Sequence, residues 1–316
     1  MRKLKALLLT EGMHGMISQV EGMAKALDVE YEHKPVKLSF PWNLVPPKFT
    51  PVSQIVLKNK IHLKNNEEII DLIISCGRKS VVPSIFFKRQ NSKIFTIHIQ
   101  DPKVNFKNFD AIVSPEHDNL AGDNIYSSKG AIHYITEKEI NKAKEYLRDK
   151  IKSEKIVSLI LGGPNKYYSF KSDQVINVFK QIKSIFVSEG YKVIVIPSMR
   201  TPKEIIDLAM REMSSSGYVV DKVDKQAYLS AYALANYIVV TCDSTSMISE
   251  AATSGKPIFV AHMKEIKNNY RFKRFFELFK KMGITRDLGE KVETWTYNKH
   301  NEAQRIALEL KNKIRK

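Results

Sequence analysis

Cysteine is nearly absent: two in 316 residues, Cys76 and Cys242. That excludes a disulfide framework and a cysteine-based metal motif, and it suits a reducing cytoplasm. Long apolar runs are missing too. None approaches the roughly 18 residues of a membrane span. The amino-terminal "MRKLKALLLTEG" has a basic start, but its apolar run stops at Thr10-Glu11, too early for a signal peptide, and reads as a first strand. There is no D-x-D pair and no H-x-x-x-H, so no dedicated metal is indicated. No dinucleotide G-x-G-x-x-G appears, which argues against a nicotinamide dehydrogenase. Acidic residues are in deficit, 34 Asp+Glu against 51 Lys+Arg, for a net charge of +17. Such a balance suits phosphorylated ligands, an anionic membrane or nucleic acid, and does not choose among them.

What is present is an ordinary globular composition and a repeated grammar. At 43% apolar residues the chain can build full cores, and its length suits two domains of about 150 residues each. Short Val- and Ile-rich runs alternate with helical patterns. They are "LKALLLT", "DLIISCG", "KIFTIHIQ" and "FDAIVSP", then "IVSLILGG", "YKVIVIPS", "YVVDKV", "NYIVVTCDS" and "PIFVAH". That alternation predicts parallel strands with crossover helices, hence α/β architecture with two Rossmann-like doubly wound domains facing across a cleft. The expected domains are 1–150 and 151–316, with the charged "INKAKEYLRDKIKSEK" as helix and linker between them. Ligands of such sheets bind beyond the carboxyl ends of the strands, so the polar residues there are the candidates.

In the first half the loop after the first run holds Gly12 and Gly15, followed by Gln19 on a helix. "SCGRKS" adds Arg78 and Lys79, cations suited to an anionic ligand. "HIQDPK" and "SPEHD" supply His98, Gln100, Asp101, Glu116, His117 and Asp118, from which a general base can come. Gly12, Gly15, Gln19, Arg78 and Gln100 are taken as the acceptor side.

In the second half "LILGGPN" sets Gly162 and Gly163 beyond a strand, and "PSMRTP" sets Ser198, Arg200 and Thr201 beyond the next. "VVTCDSTSMISEAATSGKP" then brings Asp243, Ser244, Thr245 and Ser246 to a helix start. One such residue suffices for a cap. Four, beside a glycine pair and an arginine, point to a phosphate held by helix amides and a guanidinium. Glu250 lies one turn beyond Ser246, placed to accept hydrogen bonds from a ribose diol. Further on, "KEIKNNYRFKRFFELFKKMG" places Phe272, Phe275, Phe276 and Phe279 on one helix face among many cations. The rings are expected in the core, with the cations free for a peripheral, salt-sensitive contact with anionic lipid.

Taken in order, "EGMHGMISQVEGMAKAL", "DLIISCGRKSVVPS", "QDPK", "FDAIVSPEHD", "LILGGPN", "SMRTP" and "DSTSMISEAATSGKP" resemble the "elongated mitochondria" fission-factor family and its bacterial relatives, over nearly the whole chain. The resemblance implies a GT-B glycosyltransferase-like fold whose last helix, about 300–316, packs back on the first domain. It implies that Ser244 and Ser246 hold diphosphate, that Glu250 meets ribose and that Gly162 and Gly163 line the donor site. Relatives often read Asp-Gly-x-Pro-Gly-His-x-x-Gln in the first loop. Here Glu11 replaces the Asp, His14 the Pro, and Met16 stands where the His often lies.

The leading expectation is a metal-independent glycosyltransferase that takes a nucleoside-diphosphate sugar and requires no cofactor. His14, Glu116 and His117 are the candidate bases, and the acceptor is expected to be a lipid-linked or envelope sugar. The expected location is cytoplasmic, peripheral on the inner face of the cytoplasmic membrane, with no nucleic acid as partner. The alternatives are a non-catalytic adaptor at a membrane and a nucleotide-sugar epimerase.

Overall fold

The computed structural model describes residues 2–61 and 70–314; within these, the side chains of His14 and His117 lie outside the described residues. The chain divides into two units, Met1–Tyr134 with Glu302–Lys316, and Ile135–Asn301. Each is built on a six-stranded sheet whose pairings are all parallel.

Unit 1 contains β1 (Lys5–Thr10), α1 (His14–Leu27), β2 (Glu30–Pro35), β3 (Leu72–Cys76), α2 (Val81–Gln90), β4 (Phe95–Ile99), β5 (Ala111–Pro115) and β6 (Ile125–Ser128). The sheet order is β2-β1-β3-β4-β5-β6. Side chains of β1 alternate between two cores, as the period of a strand requires. Ala6 and Leu8 meet Val20, Met23 and Ala24 of α1, whereas Leu7 and Leu9 meet Val82 and Phe87 of α2. The sequence reading missed β2 and β6. β2 is a polar edge strand, "EYEHKP", with no apolar run to announce it.

Unit 2 contains α3 (Glu137–Lys142), β7 (Ile156–Leu161), α4 (Ser172–Ile182), β8 (Lys192–Pro197), α5 (Lys203–Met213), β9 (Gly217–Val219), α6 (Lys225–Leu234), β10 (Tyr237–Thr241), α7 (Thr245–Ala252), β11 (Ile258–Ala261), α8 (Tyr270–Lys281) and β12 (Thr285–Asp287). The sheet order is β12-β11-β10-β7-β8-β9. Its order reverses between β7 and β10, which makes that pair the topological switch point, where open α/β sheets bind ligands.

The division falls at 134/135 rather than near 150. The segment expected to link the halves belongs to unit 2 because it is bonded to α6: the Ser230 hydroxyl donates to the Lys144 carbonyl, and the Leu147 amide donates to the Ser230 oxygen. The final helix, α9 (Glu302–Ile314), is part of unit 1. Its stripe of Ala303, Ile306, Ala307 and Leu310 joins the core cluster on the α1 face. The buried Glu302 carboxylate accepts from the Lys129 amide and from Arg305.

Phe275 and Phe279 of α8 are fully buried, and their rings lie 4.1 Å apart. Phe272 and Phe276 are half-buried, Phe272 against Tyr167 and Tyr168 and Phe276 against His262. No helix among the described residues is long and apolar enough to cross a membrane.

Candidate functional site

The switch point of unit 2 brings together the ends of β7, β8 and β10, and one buried carboxylate organises them. Asp243 follows β10 with no side-chain exposure. Its Oδ1 accepts from the Thr241 hydroxyl at 2.7 Å, and its Oδ2 accepts from the Gly163 amide at 3.0 Å and from Arg200 Nη2 at 2.7 Å. Arg200 Nη1 donates to the Gly163 carbonyl, and Asn165 Nδ2 donates to the Asp243 carbonyl, both at 3.0 Å. The Thr241 oxygen accepts the Gly162 amide, and the Thr201 hydroxyl donates to the Gly162 carbonyl at 2.6 Å. Burial raises the Asp243 pKa, and Arg200, the Gly163 amide and Thr241 oppose it. Three loops are thus bonded to one another before any ligand arrives.

That network explains the glycine pair. A Cβ on Gly162 would lie 2.0 Å from Asp243 Oδ2, and one on Gly163 would lie 2.0 Å from the Arg200 carbonyl. The missing side chains make room for Asp243 and the Arg200 loop. They are therefore needed by the protein itself, whatever binds above them. Arg200 is committed likewise. Its side chain is 40% exposed, but three of its donor contacts go to Gly163 and Asp243.

The hydroxyl-rich helix start stands beside this network. Ser244 is the N-cap of α7, and its oxygen accepts from the Met247 amide at 3.4 Å, a long bond. Thr245 and Ser246 are half-exposed on the first turn, whose amides have no partner within the helix. Glu250 lies one turn on. Its Oε2 accepts from the Tyr228 hydroxyl at 2.6 Å, and Tyr228 in turn accepts from Tyr232 at 2.6 Å. Burial pushes the Glu250 carboxyl up to about 7, and the bond from Tyr228 pulls the other way. A carboxyl poised there changes charge across neutral pH.

The strand ends of unit 1 hold a second polar group at the β1/β3 switch. Glu11 accepts from the Lys79 amide at 3.2 Å and pairs with its ammonium at 3.0 Å. Gln19 Oε1 accepts from Gln100 Nε2 at 3.4 Å and from the Cys76 thiol at 3.6 Å. Gly12, at φ +87, donates its amide to the Thr10 hydroxyl, and Gly15 sits exposed in the first turn of α1. A Cβ on Gly77 would lie 2.7 Å from Met16 Sδ, so the thioether at the usual His position packs on that glycine.

Several expected roles change. Arg78, taken as a cation for an anionic ligand, spends its guanidinium on the carbonyls of Asn43, Leu44 and Val45. His98 is buried in β4 against the Ser75 hydroxyl at 2.9 Å, and burial pushes its pKa down to about 3, so it stays neutral. Glu116 is exposed on a single turn, 116–118, after β5. His117 shares that turn and His14 opens α1, but nothing is described of either side chain. The sequence reading missed Asp243 as the organiser, and Tyr228 and Tyr232 altogether. The first had a signal: an acid immediately after a wholly buried strand must be paired. The tyrosines did not, because only the fold brings α6 beside α7. Among the described residues no group of three His, Cys, Asp or Glu side chains is arranged to hold a metal.

Comparison with known proteins gives a consistent picture. The family described as mitochondrial fission ELM1 matches residues 14–314. An uncharacterised protein of Rickettsia prowazekii is 28% identical over 78% of this chain and 82% of its own length. The mitochondrial fission protein ELM1 of Arabidopsis thaliana is 21% identical over 77% of this chain. The match covers 64% of that plant protein's length. Among solved structures, the UDP-GlcNAc 2-epimerase of Methanocaldococcus jannaschii aligns over 98% of this chain and all of its own, with a TM-score of 0.52 at 12% identity. The Neisseria meningitidis UDP-GlcNAc 2-epimerase, solved with UDP-GlcNAc, aligns over 99% of this chain and all of its own at 0.51 and 10%. A UDP-glucosyltransferase from Polygonum tinctorium aligns over 99% of this chain and 93% of its own at 0.51 and 8%. At such identities the likeness is one of fold, and that fold is GT-B-like.

Proposed function

This chain belongs to the mitochondrial fission ELM1 family, and for this member we propose hexosyl transfer from a nucleoside-diphosphate sugar held at the switch point of unit 2. The observation that carries the reading is the geometry at the end of β10. An internally bonded platform built on Asp243 leads directly into the first turn of α7, where Thr245 and Ser246 are half-exposed. Free amides, small hydroxyls and a helix dipole are what a diphosphate needs. Proteins of the same fold that act on UDP-GlcNAc or transfer glucose from UDP support the choice of ligand.

The acceptor hydroxyl oxygen would bond to the anomeric carbon as that carbon's bond to the diphosphate oxygen breaks. The diphosphate leaves with the bonding electron pair. Its growing charge falls on the α7 amides, preorganised before the reaction begins. Arg200 contributes its positive field at the edge of the site while remaining bonded to Asp243. The acceptor proton passes to a base, for which Glu116, His117 and His14 remain the candidates; a lipid-linked or envelope sugar is the acceptor class. The Glu250 carboxylate, with Oε2 engaged by Tyr228, offers Oε1 to a ribose diol. The exposed cations of α8 fit a peripheral contact with an anionic membrane.

Calorimetry with the common nucleoside diphosphates tests the site. One of them is expected to bind, and at about 100 times its Kd to stabilise unit 2 by about 2.7 kcal/mol. No binding at millimolar concentrations overturns the donor site and leaves the adaptor reading, which the fission-factor relative favours. Binding with epimerised rather than transferred sugar as product selects the epimerase.

A further inference from the structure

Between His33 and Ile61 the chain has no acidic residue and five lysines, and five of the twelve prolines of the whole sequence fall within 35–51. This segment follows β2 and displays four large apolar side chains to solvent: Phe40 at 80% exposure, Leu44 at 69%, Phe49 at 69% and Ile55 at 74%. Scattered single exposures of this kind need no explanation, but four within sixteen residues do.

The segment is also held in place. The Ser39 amide donates to the Val56 carbonyl at 2.9 Å, which brings Phe40 beside Ile55 in the backbone, and Leu38 bridges to Leu57. The Asn43 amide closes a turn onto Ser39, and the Thr50 hydroxyl donates to the Pro46 carbonyl at 3.0 Å. Arg78 clamps the carbonyls of 43–45 from the end of β3. Beneath, Val36, Val56 and Leu57 are buried in the α2-side core, with Leu38, Trp42 and Val52 packed against it. The apolar side chains therefore stand on a preorganised knot, and prolines reduce the entropy lost in holding it.

The charge around them chooses the partner. Lys37, Lys48, Lys58 and Lys60 are all exposed, and the Lys48 ammonium lies 5.7 Å from the centre of the Phe49 ring. Exposed aromatic and aliphatic side chains in a stretch with exposed lysines and no Asp or Glu in its sequence match the boundary between anionic headgroups and acyl chains. A second copy of this segment, equally basic, would set lysine against lysine.

We propose that the 38–60 knot is a membrane anchor that inserts Phe40, Leu44, Phe49 and Ile55 into the interface of an anionic bilayer. This goes beyond the nucleotide-sugar reading and does not depend on it. It also differs from the α8 face, whose cations attract but whose Phe275 and Phe279 are buried and cannot insert.

The test uses the full chain and phosphatidylcholine vesicles with and without phosphatidylglycerol. Binding to the anionic vesicles is expected, weakened by salt but not abolished. Trp42 and Trp295 are the two tryptophans. In a Trp295→Phe background, acyl-brominated lipid is expected to quench Trp42. Phe40→Ser with Phe49→Ser is expected to reduce partitioning roughly tenfold or more for the pair, given the worth of a buried aromatic side chain. It should melt at the parent temperature, because both rings are exposed. No binding at low salt overturns the proposal. So does binding that salt removes completely with Trp42 unquenched, which would be α8-type attraction alone. A lipid-independent dimer that the double substitution converts to monomer also overturns it, because a second copy would then cover the knot.

Discussion

The Asp243 carboxylate, wholly buried, accepts a 2.7 Å hydrogen bond from the half-exposed guanidinium of Arg200, and that pair ties the end of β10 to the end of β8. Arg200→Ala leaves the carboxylate with the Gly163 amide and Thr241 hydroxyl but no counter-charge. Because Arg200 is partly solvated, a loss of about 1–3 kcal/mol is expected at neutral pH. The sign with pH follows from burial. The Asp243 pKa is already raised from 3.8 by desolvation, and removing Arg200 raises it further. A carboxyl with a raised folded pKa costs stability above that pKa and nothing below its unfolded value. The deficit of the variant, measured by urea denaturation, is therefore expected to shrink as pH falls toward 3.8.

Glu250 gives a separate pH dependence. Its folded pKa of about 7 stands above the ordinary 4.5, chiefly through desolvation. Its contribution to stability is therefore least unfavourable below pH 4.5 and falls away as pH rises through about 7. The residue keeps part of its surface exposed, which holds the effect to about 1–2 kcal/mol. Glu250→Gln is expected to remove this slope and to melt higher than the parent above neutral pH. Nucleotide affinity should move oppositely, because a ribose diol donates better to the ionised carboxylate. A rise in affinity through neutral pH that Gln abolishes would place Glu250 at the ribose.

The glycine pair should resist the smallest enlargement. Gly163→Ala sets a Cβ against the Arg200 carbonyl, a backbone atom that cannot swing aside. Overpacking of this kind costs about 1–3 kcal/mol, and the Asp243 network is expected to loosen with it. Thermal melting gives the first quantity. Faster exchange of the amide proton at position 163, bonded to Asp243 at 3.0 Å in the parent, gives the second.

Two neighbouring serines should separate folding from binding. Ser244→Ala removes the N-cap of α7 and is expected to cost about 0.5–1 kcal/mol, the low end, because its bond to Met247 is 3.4 Å long. Ser246→Ala touches no cap and should leave the melting temperature unchanged while weakening nucleoside diphosphate. Equal affinity in parent and Ser246→Ala, by calorimetry, would remove that hydroxyl from the site.

Helix α9 offers a packing test. Leu310 is fully buried in the unit 1 core with Ile306 and Ala307. Leu310→Ala is expected to destabilise by about 2–5 kcal/mol. Nucleotide affinity, a property of unit 2 in the proposed function, should be spared as long as the protein stays folded.

Much of the architecture is local, and local order is legible. The runs that became β1, β3, β4, β5, β7, β8, β10 and β11 are apolar because strands covered on both faces must be. Their polar ends fall where parallel topology places ligands, so Gly162, Gly163, Arg200 and Ser244–Ser246 could be gathered from order alone. Edge strands β2 and β12 escaped because one exposed face relaxes the pattern to "EYEHKP" and "TRD".

What only the tertiary structure decided is how each side chain is spent. Arg78 and Arg200 read alike in sequence, as cations after a strand. The fold turns one onto the carbonyls of 43–45 and the other onto Asp243. Glu250 reads in sequence as a carboxylate placed for a ribose diol; only the fold brings Tyr228 of α6 against it and lifts its pKa by burial. Nothing in the local pattern of 38–55 marks Phe40, Leu44, Phe49 and Ile55 as exposed, yet all four face solvent. Periodicity and strand-end chemistry act between neighbours in the chain, and those the sequence determined. Hydrogen-bond partners, desolvation and exposure are set by residues tens of positions away, and those waited for the fold.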